Sequence, residues 1–148
     1  MKTNFHGSGL GQFGTLTNLT MLGMHGCSLQ DGRGLSELKQ VKRLWMWDAY
    51  LAPAVLSHIH KMENLRDVDL SGSSINNEQL VELSNATQLT GLNLGWTNAS
   101  EAALNDLRAK LPNTRIVGEP ANSGNAQPLA YSCLSASIGS ILEARMAG

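Results

Sequence analysis

Apolar side chains recur along this chain with a period of 24 residues. With Leu65 as offset 0, they occupy offsets 0, 3, 5, 10, 15 and 18 at Leu65, Val68, Leu70, Ile75, Leu80 and Leu83. The next unit repeats them at Leu89, Leu92, Leu94, Ala99, Leu104 and Leu107. The unit before holds Val41, Leu44, Met46, Leu51, Leu56 and Ile59 in the same register. An earlier unit of 22 residues keeps Leu19, Leu22, Met24 and Leu29 in place, after which Leu35 and Leu38 arrive one position late. Offsets 3 and 5 share one face of a strand, and offsets 15 and 18 share one face of a helix. The register predicts parallel strands near 21–24, 43–46, 67–70, 91–94 and 115–117, with helices near 53–61, 77–84 and 100–110. Start signals agree: Pro53 suits a first helical position, and Asn76 with Gln79, or Asn98 with Glu101, resembles a capping box.

The motif LxxLxL, followed by a loop and a short helix, resembles the leucine-rich repeat family over roughly residues 1–118. Many family members carry asparagine at offset 8, where this chain has Cys27, Ala49, Ser73 and Thr97. Small residues there are similar to the cysteine-containing repeat type and its bacterial relatives, which often close with a proline-asparagine turn and a last strand, as in "LPNTRIVG". The resemblance implies an α/β fold: a right-handed leucine-rich-repeat solenoid with a curved parallel sheet on the concave side and short helices on the convex side. No single unit buries its own apolar face, so such units stack.

Three segments follow. Residues 1–18 form a partial N-terminal repeat, 19–118 hold about four units and a closing strand, and 119–148 are a linker and tail. Phe5, Leu10 and Phe13 sit at offsets 10, 15 and 18 of a unit whose offset 0 would precede Met1. That favours the C-terminal part of a longer protein over a degenerate cap. It also predicts an unpaired sheet edge and self-association through the apolar N-terminal end, with Leu16 beside those residues. "EPANSGNAQP" has linker composition. Beyond it, Leu134, Ile138, Ile141 and Leu142 fall at helical spacing, either as a helix capping the open end or as a frayed tail.

Composition narrows the function classes. The 148 residues suit one domain, and eleven Lys+Arg against twelve Asp+Glu leave a net charge of −1. A nucleic-acid partner and a polybasic membrane surface are both disfavoured. No run of eighteen apolar residues is present, and "MKTNFHGSGLGQF" lacks the apolar core of a signal peptide. Localisation stays open, because the natural N-terminus is expected to lie upstream. Cys27 and Cys133 are far apart and in no CxxC arrangement, which favours two free thiols over a pair.

Candidate chemistry is sparse. His58 and His60 are two apart on a predicted helix, where side chains diverge, so a metal site is not expected. Asp67 and Asp69 face the same way on a strand, yet no nucleophile accompanies them, and a solvated face is the better reading. Three matches to the glycosylation pattern, at Asn18, Asn85 and Asn98, are read as coincidence. "GSGLGQFG" has no preceding strand and no following lysine, so it is not a phosphate loop. No enzyme activity and no cofactor are expected.

A binding face is expected instead. Leu44 and Met46 point inward, so Trp45 and Trp47 point outward with Arg43. Met21, His25, Asp67, Asp69, Asn93 and Arg115 complete the surface, with Trp96 at its rim. Tryptophan and arginine dominate binding hot spots, which favours a non-catalytic protein-recognition module over a structural spacer without its own ligand. An enzymatic role would need a catalytic domain upstream.

Overall fold

The computed structural model of the protein describes residues 4–5, 7–118 and 135–137. Its elements are β1 (Asn4–Phe5), a 3-10 helix (Gly7–Thr15), β2 (Met21–Gly23), β3 (Ser28–Leu29) and a 3-10 helix (Arg33–Glu37). Next come β4 (Arg43–Trp45), β5 (Tyr50–Leu51), α1 (Pro53–Leu56), a 3-10 turn (Ile59–Lys61), β6 (Asp67–Asp69) and α2 (Asn77–Leu83). The order ends with β7 (Gly91–Asn93), α3 (Glu101–Lys110), β8 (Arg115–Val117) and β9 (Ser135–Ser137). The fold is mixed α/β, with a parallel sheet of five strands and short helices.

The 24-residue period sets the sheet. Its strands run β8-β7-β6-β4-β2, each parallel to its neighbour, and equal offsets face one another: Met21, Arg43, Asp67, Gly91 and Arg115 form one row. Pairing continues past the strands, where the amides of Met24, Met46, Leu70 and Leu94 donate to the carbonyls of Trp45, Asp69, Asn93 and Val117. A smaller sheet, β1-β3-β5, aligns Phe5, Leu29 and Leu51, the residues at offset 10. Every apolar repeat position of the four units is at most 3 % exposed, and together they form one core. Leu10 of the N-terminal segment is fully buried in it and Phe13 packs against it partly buried, while Leu16 is exposed.

The turn after each strand also repeats. At offset 7 the backbone takes a left-handed conformation in Gly26, Asp48, Gly72 and Trp96. Glycine enters that region without strain, whereas Asp48 and Trp96 carry a steric cost there. At offset 8 two of the four small side chains, Ser73 and Thr97, tie the turn. The Ser73 hydroxyl donates to the Met46 carbonyl and accepts from the Ala49 amide, and Thr97 donates to Leu94. A second ladder joins the other end of the units. Gln40 donates to Phe13 and Leu16 carbonyls, and Gln88 donates to the equivalent Ile59 and Met62 carbonyls.

Several expectations need correction. The helix expected over 53–61 is divided into α1 and a 3-10 turn, because His58 and its neighbours close shorter i→i+3 bonds. Asn76 and Gln79 do form a capping box, but α3 is capped by Ser100, whose hydroxyl accepts from the Ala103 amide, and not by Asn98. The N-terminal sheet edge is not unpaired: β9 lies antiparallel to β2, with Ser137, Ala136 and Ser135 opposite Met21, Leu22 and Gly23. Residues 135–137 are therefore a strand, and no helix runs through them; the rest of the expected linker and capping helix lies outside the described residues. Cys27 is disulfide-bonded, so it is not a free thiol. Sequence separation gave no sign of this, but β9 returns the C-terminal segment to the unit that holds Cys27. Cys133, the chain's other cysteine, lies outside the described residues.

Candidate functional site

The middle residues of β2, β4, β6 and β7 are Leu22, Leu44, Val68 and Leu92, all buried in the core. The residues on either side of them must therefore face away from it. This outer face has three rows. Arg43, Asp67, Gly91 and Arg115 follow Met21 in the first; Gly23, Trp45, Asp69, Asn93 and Val117 form the second. His25, Trp47, Ser71 and Gly95 continue it beyond the strands, linked through turn hydrogen bonds.

The aromatic residues of the face are stacked on one another. Trp45 and Trp47 lie 5.4 Å apart with planes 17° from parallel, and Trp47 continues onto His25 at 5.7 Å and 11°. Both indoles are half-buried, and the buried Trp47 Nε1 has no hydrogen-bond partner among the described residues. The expected outward direction holds, but the side chains are less exposed than a free surface pair. Stacking is the reason: each ring shields the other's face from water.

Next to the stack, Asp69 and Asn93 form a hydrogen-bonded floor. Asp69 Oδ1 accepts from the amide and hydroxyl of Ser71, and its Oδ2 accepts from Asn93 Nδ2 at 3.0 Å. Asn93 Oδ1 in turn accepts from the Gly95 amide. A short polar side chain bonding the backbone two residues on is the usual Asx turn, here repeated in consecutive units. The two aspartates thus differ. Asp69 is committed to the fold, while Asp67 is exposed and, among the described residues, meets only the Thr90 hydroxyl, at a long 3.4 Å.

A groove of about 390 Å³ crosses β4, β6, β7 and β8 above this floor, lined by Trp45, Asp67, Asp69, Gly91, Asn93 and Arg115 among others. Gly91 makes it deep. A Cβ placed there would lie 2.6 Å from Asp67 Oδ1, so the carboxylate leans over the glycine toward Arg115. No ion pair joins Asp67 to Arg43 or Arg115, and neither arginine side chain donates a hydrogen bond, among the described residues. Charged heads of both signs therefore stand uncommitted along one row.

Of the expected site residues, Trp45, Asp67, Asp69, Asn93 and Arg115 meet in the groove. Arg43 stands one strand from Asp67 in the same row, and Met21, His25 and Trp47 lie on the side toward β2. Trp96 is not part of the groove: it occupies the left-handed turn position with its Nε1 buried. Gly91, Thr90 and Val117 line the groove but were not anticipated. A glycine inside a strand was the available signal, since it marks close approach or an opening. His58 lies elsewhere, beneath Gly32, and burial holds its imidazole below the ordinary value, with nearby Lys61 adding to the effect. Against models of known protein families the chain has no match, and no curated protein matches it significantly.

Proposed function

We propose that the chain is a segment of a leucine-rich-repeat solenoid, and that it is a non-catalytic module that recognises a protein on the concave, strand-bearing face. The observation that carries this reading is the groove beside the Trp45–Trp47 stack, with the uncommitted Asp67 and Arg115 in its lining and Arg43 one strand away in the same row. The 24-residue register, the parallel order of the strands and the repeated turn support the family reading. Aromatic and arginine side chains around a concavity are the composition of binding hot spots. A face meant only to meet water would not hold indoles at its centre.

A spacer role has one observation in its favour. The indoles cover each other and His25, so part of their apolar surface is already shielded without a partner. The two readings separate on one variant. Trp45→Ser removes the groove wall and leaves the core intact. Recognition predicts that proteins retained by the wild type are lost by this variant, with circular dichroism unchanged. An identical set of bound proteins would sink the assignment of this face.

A further inference from the structure

Resting on that reading, we infer that the groove selects a protein segment carrying a basic and an acidic side chain within four residues of each other. The basic group sits between Trp45 and Asp67, and the acidic group sits on Arg115.

Three observations carry the inference. First, most polar groups of the groove are already satisfied. Asp69 spends both oxygens on Ser71 and Asn93, and Asn93 spends its oxygen on Gly95. They shape the floor: their oxygens are already bonded, and the charge that Asp69 keeps adds to that of Asp67 beside Trp45. Second, the groups left over are full charges of opposite sign at opposite ends. Asp67 and Arg115 lie two strands apart, with Gly91 between them, and neither forms an ion pair among the described residues. At about 4.8 Å per strand, two strands put Asp67 and Arg115 about 9.6 Å apart. An extended segment places side chains on one face about 6.6 Å apart at a separation of two residues and about 13 Å apart at four, which brackets that gap. Third, Trp45 forms the wall beside Asp67. Tryptophan is the strongest aromatic partner of a cation, and a carboxylate nearby adds to the attraction.

Charge complementarity excludes the simpler occupants. A purely acidic ligand meets Asp67, and a purely basic one meets Arg115. A neutral sugar would stack on Trp45, but it gains little from floor groups that are already bonded and leaves both charges unpaired. A segment with both signs satisfies each charge, and reversing its order juxtaposes like charges, which costs affinity.

The test is selection from a phage-displayed library of random peptides, run on the wild type, Trp45→Ser and the charge-swapped Asp67→Arg/Arg115→Asp. The expected result is enrichment of peptides with a Lys or Arg and an Asp or Glu within four residues, lost with Trp45→Ser. Swapping the order of the two charges in an enriched peptide should weaken binding about tenfold on the wild type. The charge-swapped variant should prefer the swapped peptide. Both substituted positions are exposed, so the variant should fold, and circular dichroism checks it. Trp45-dependent peptides without a charge pair, or equal binding of both orders, would overturn this inference and leave the recognition reading standing. So would Trp45-dependent binding to a glycan array, or a wild-type dimer that the charge swap dissociates. No Trp45-dependent binding of any kind would overturn both.

Discussion

Asn93 donates its side-chain amide to Asp69 Oδ2 at 3.0 Å, binding the outer surfaces of neighbouring strands together. Asp67, two residues before Asp69 on the same strand, has no comparable tie among the described residues. Identical side chains on one strand face thus have different work. Asp69→Ala should cost about 1.5–3 kcal/mol, the range for hydrogen bonds to a charged group. Asp67→Ala should stay within about 0.5 kcal/mol, as exposed substitutions usually do. Urea unfolding of both variants checks the contrast, and equal costs would mean the floor is not structural.

The left-handed turn position makes a second contrast. Gly72 has φ +68, and an added Cβ would collide with Asp48 Oδ1. Gly72→Ala should therefore destabilise by about 1–3 kcal/mol, through backbone strain and displacement of Asp48. Gly9, where an added Cβ meets nothing within 4 Å, should tolerate alanine without comparable loss. Thermal melts of the two variants measure this, and a Gly72→Ala protein as stable as its parent would contradict the turn geometry.

Trp45 and Trp47 should be energetically coupled. Free surface residues would change stability independently, but these rings stack at 5.4 Å. A double-mutant cycle with serine should return a coupling of about 0.5–1.5 kcal/mol. Met46, between them in sequence, is 1 % exposed on the opposite face. Met46→Ala should cost about 2–5 kcal/mol as a core truncation. Zero coupling between the tryptophans would show that the stack contributes nothing to the fold.

His58 supplies the pH dependence. Its imidazole is held below 6.5 first by burial, then by Lys61. The unfolded chain consequently takes up a proton that the folded protein resists. The sign follows: this stability is fully present above 6.5 and declines as pH falls from there toward the lower folded value. Melting temperature should drop over that window in the wild type and drop less in His58→Gln. The same slope in both proteins would remove His58 as the cause.

Legibility in the sequence followed physical range. The core was readable because each unit contacts its neighbours in order, so a fixed period fixes the inward positions from Leu19 to Leu107. The outward direction of Trp45 and Trp47 followed from the same alternation. The outer face was less readable, because hydrogen bonds such as Asp69 to Ser71 and Asn93 depend on rotamers that no period encodes. Asp48 and Trp96 concealed the left-handed turn that Gly26 and Gly72 advertise. The pairing of β9 with β2 joins residues far apart in the chain, and a Ser-Ala-Ser strand carries no apolar pattern to announce it.

The central claim is that recognition belongs to the strand-bearing face. A photo-crosslinking amino acid at Arg43 or Arg115 would stand on that face, and one at Val81, 57 % exposed on α2, would stand away from it. After irradiation of cells that produce each variant, protein adducts are predicted from positions 43 and 115 and not from 81. Adducts from Val81 alone, or from none of the three, would contradict the claim.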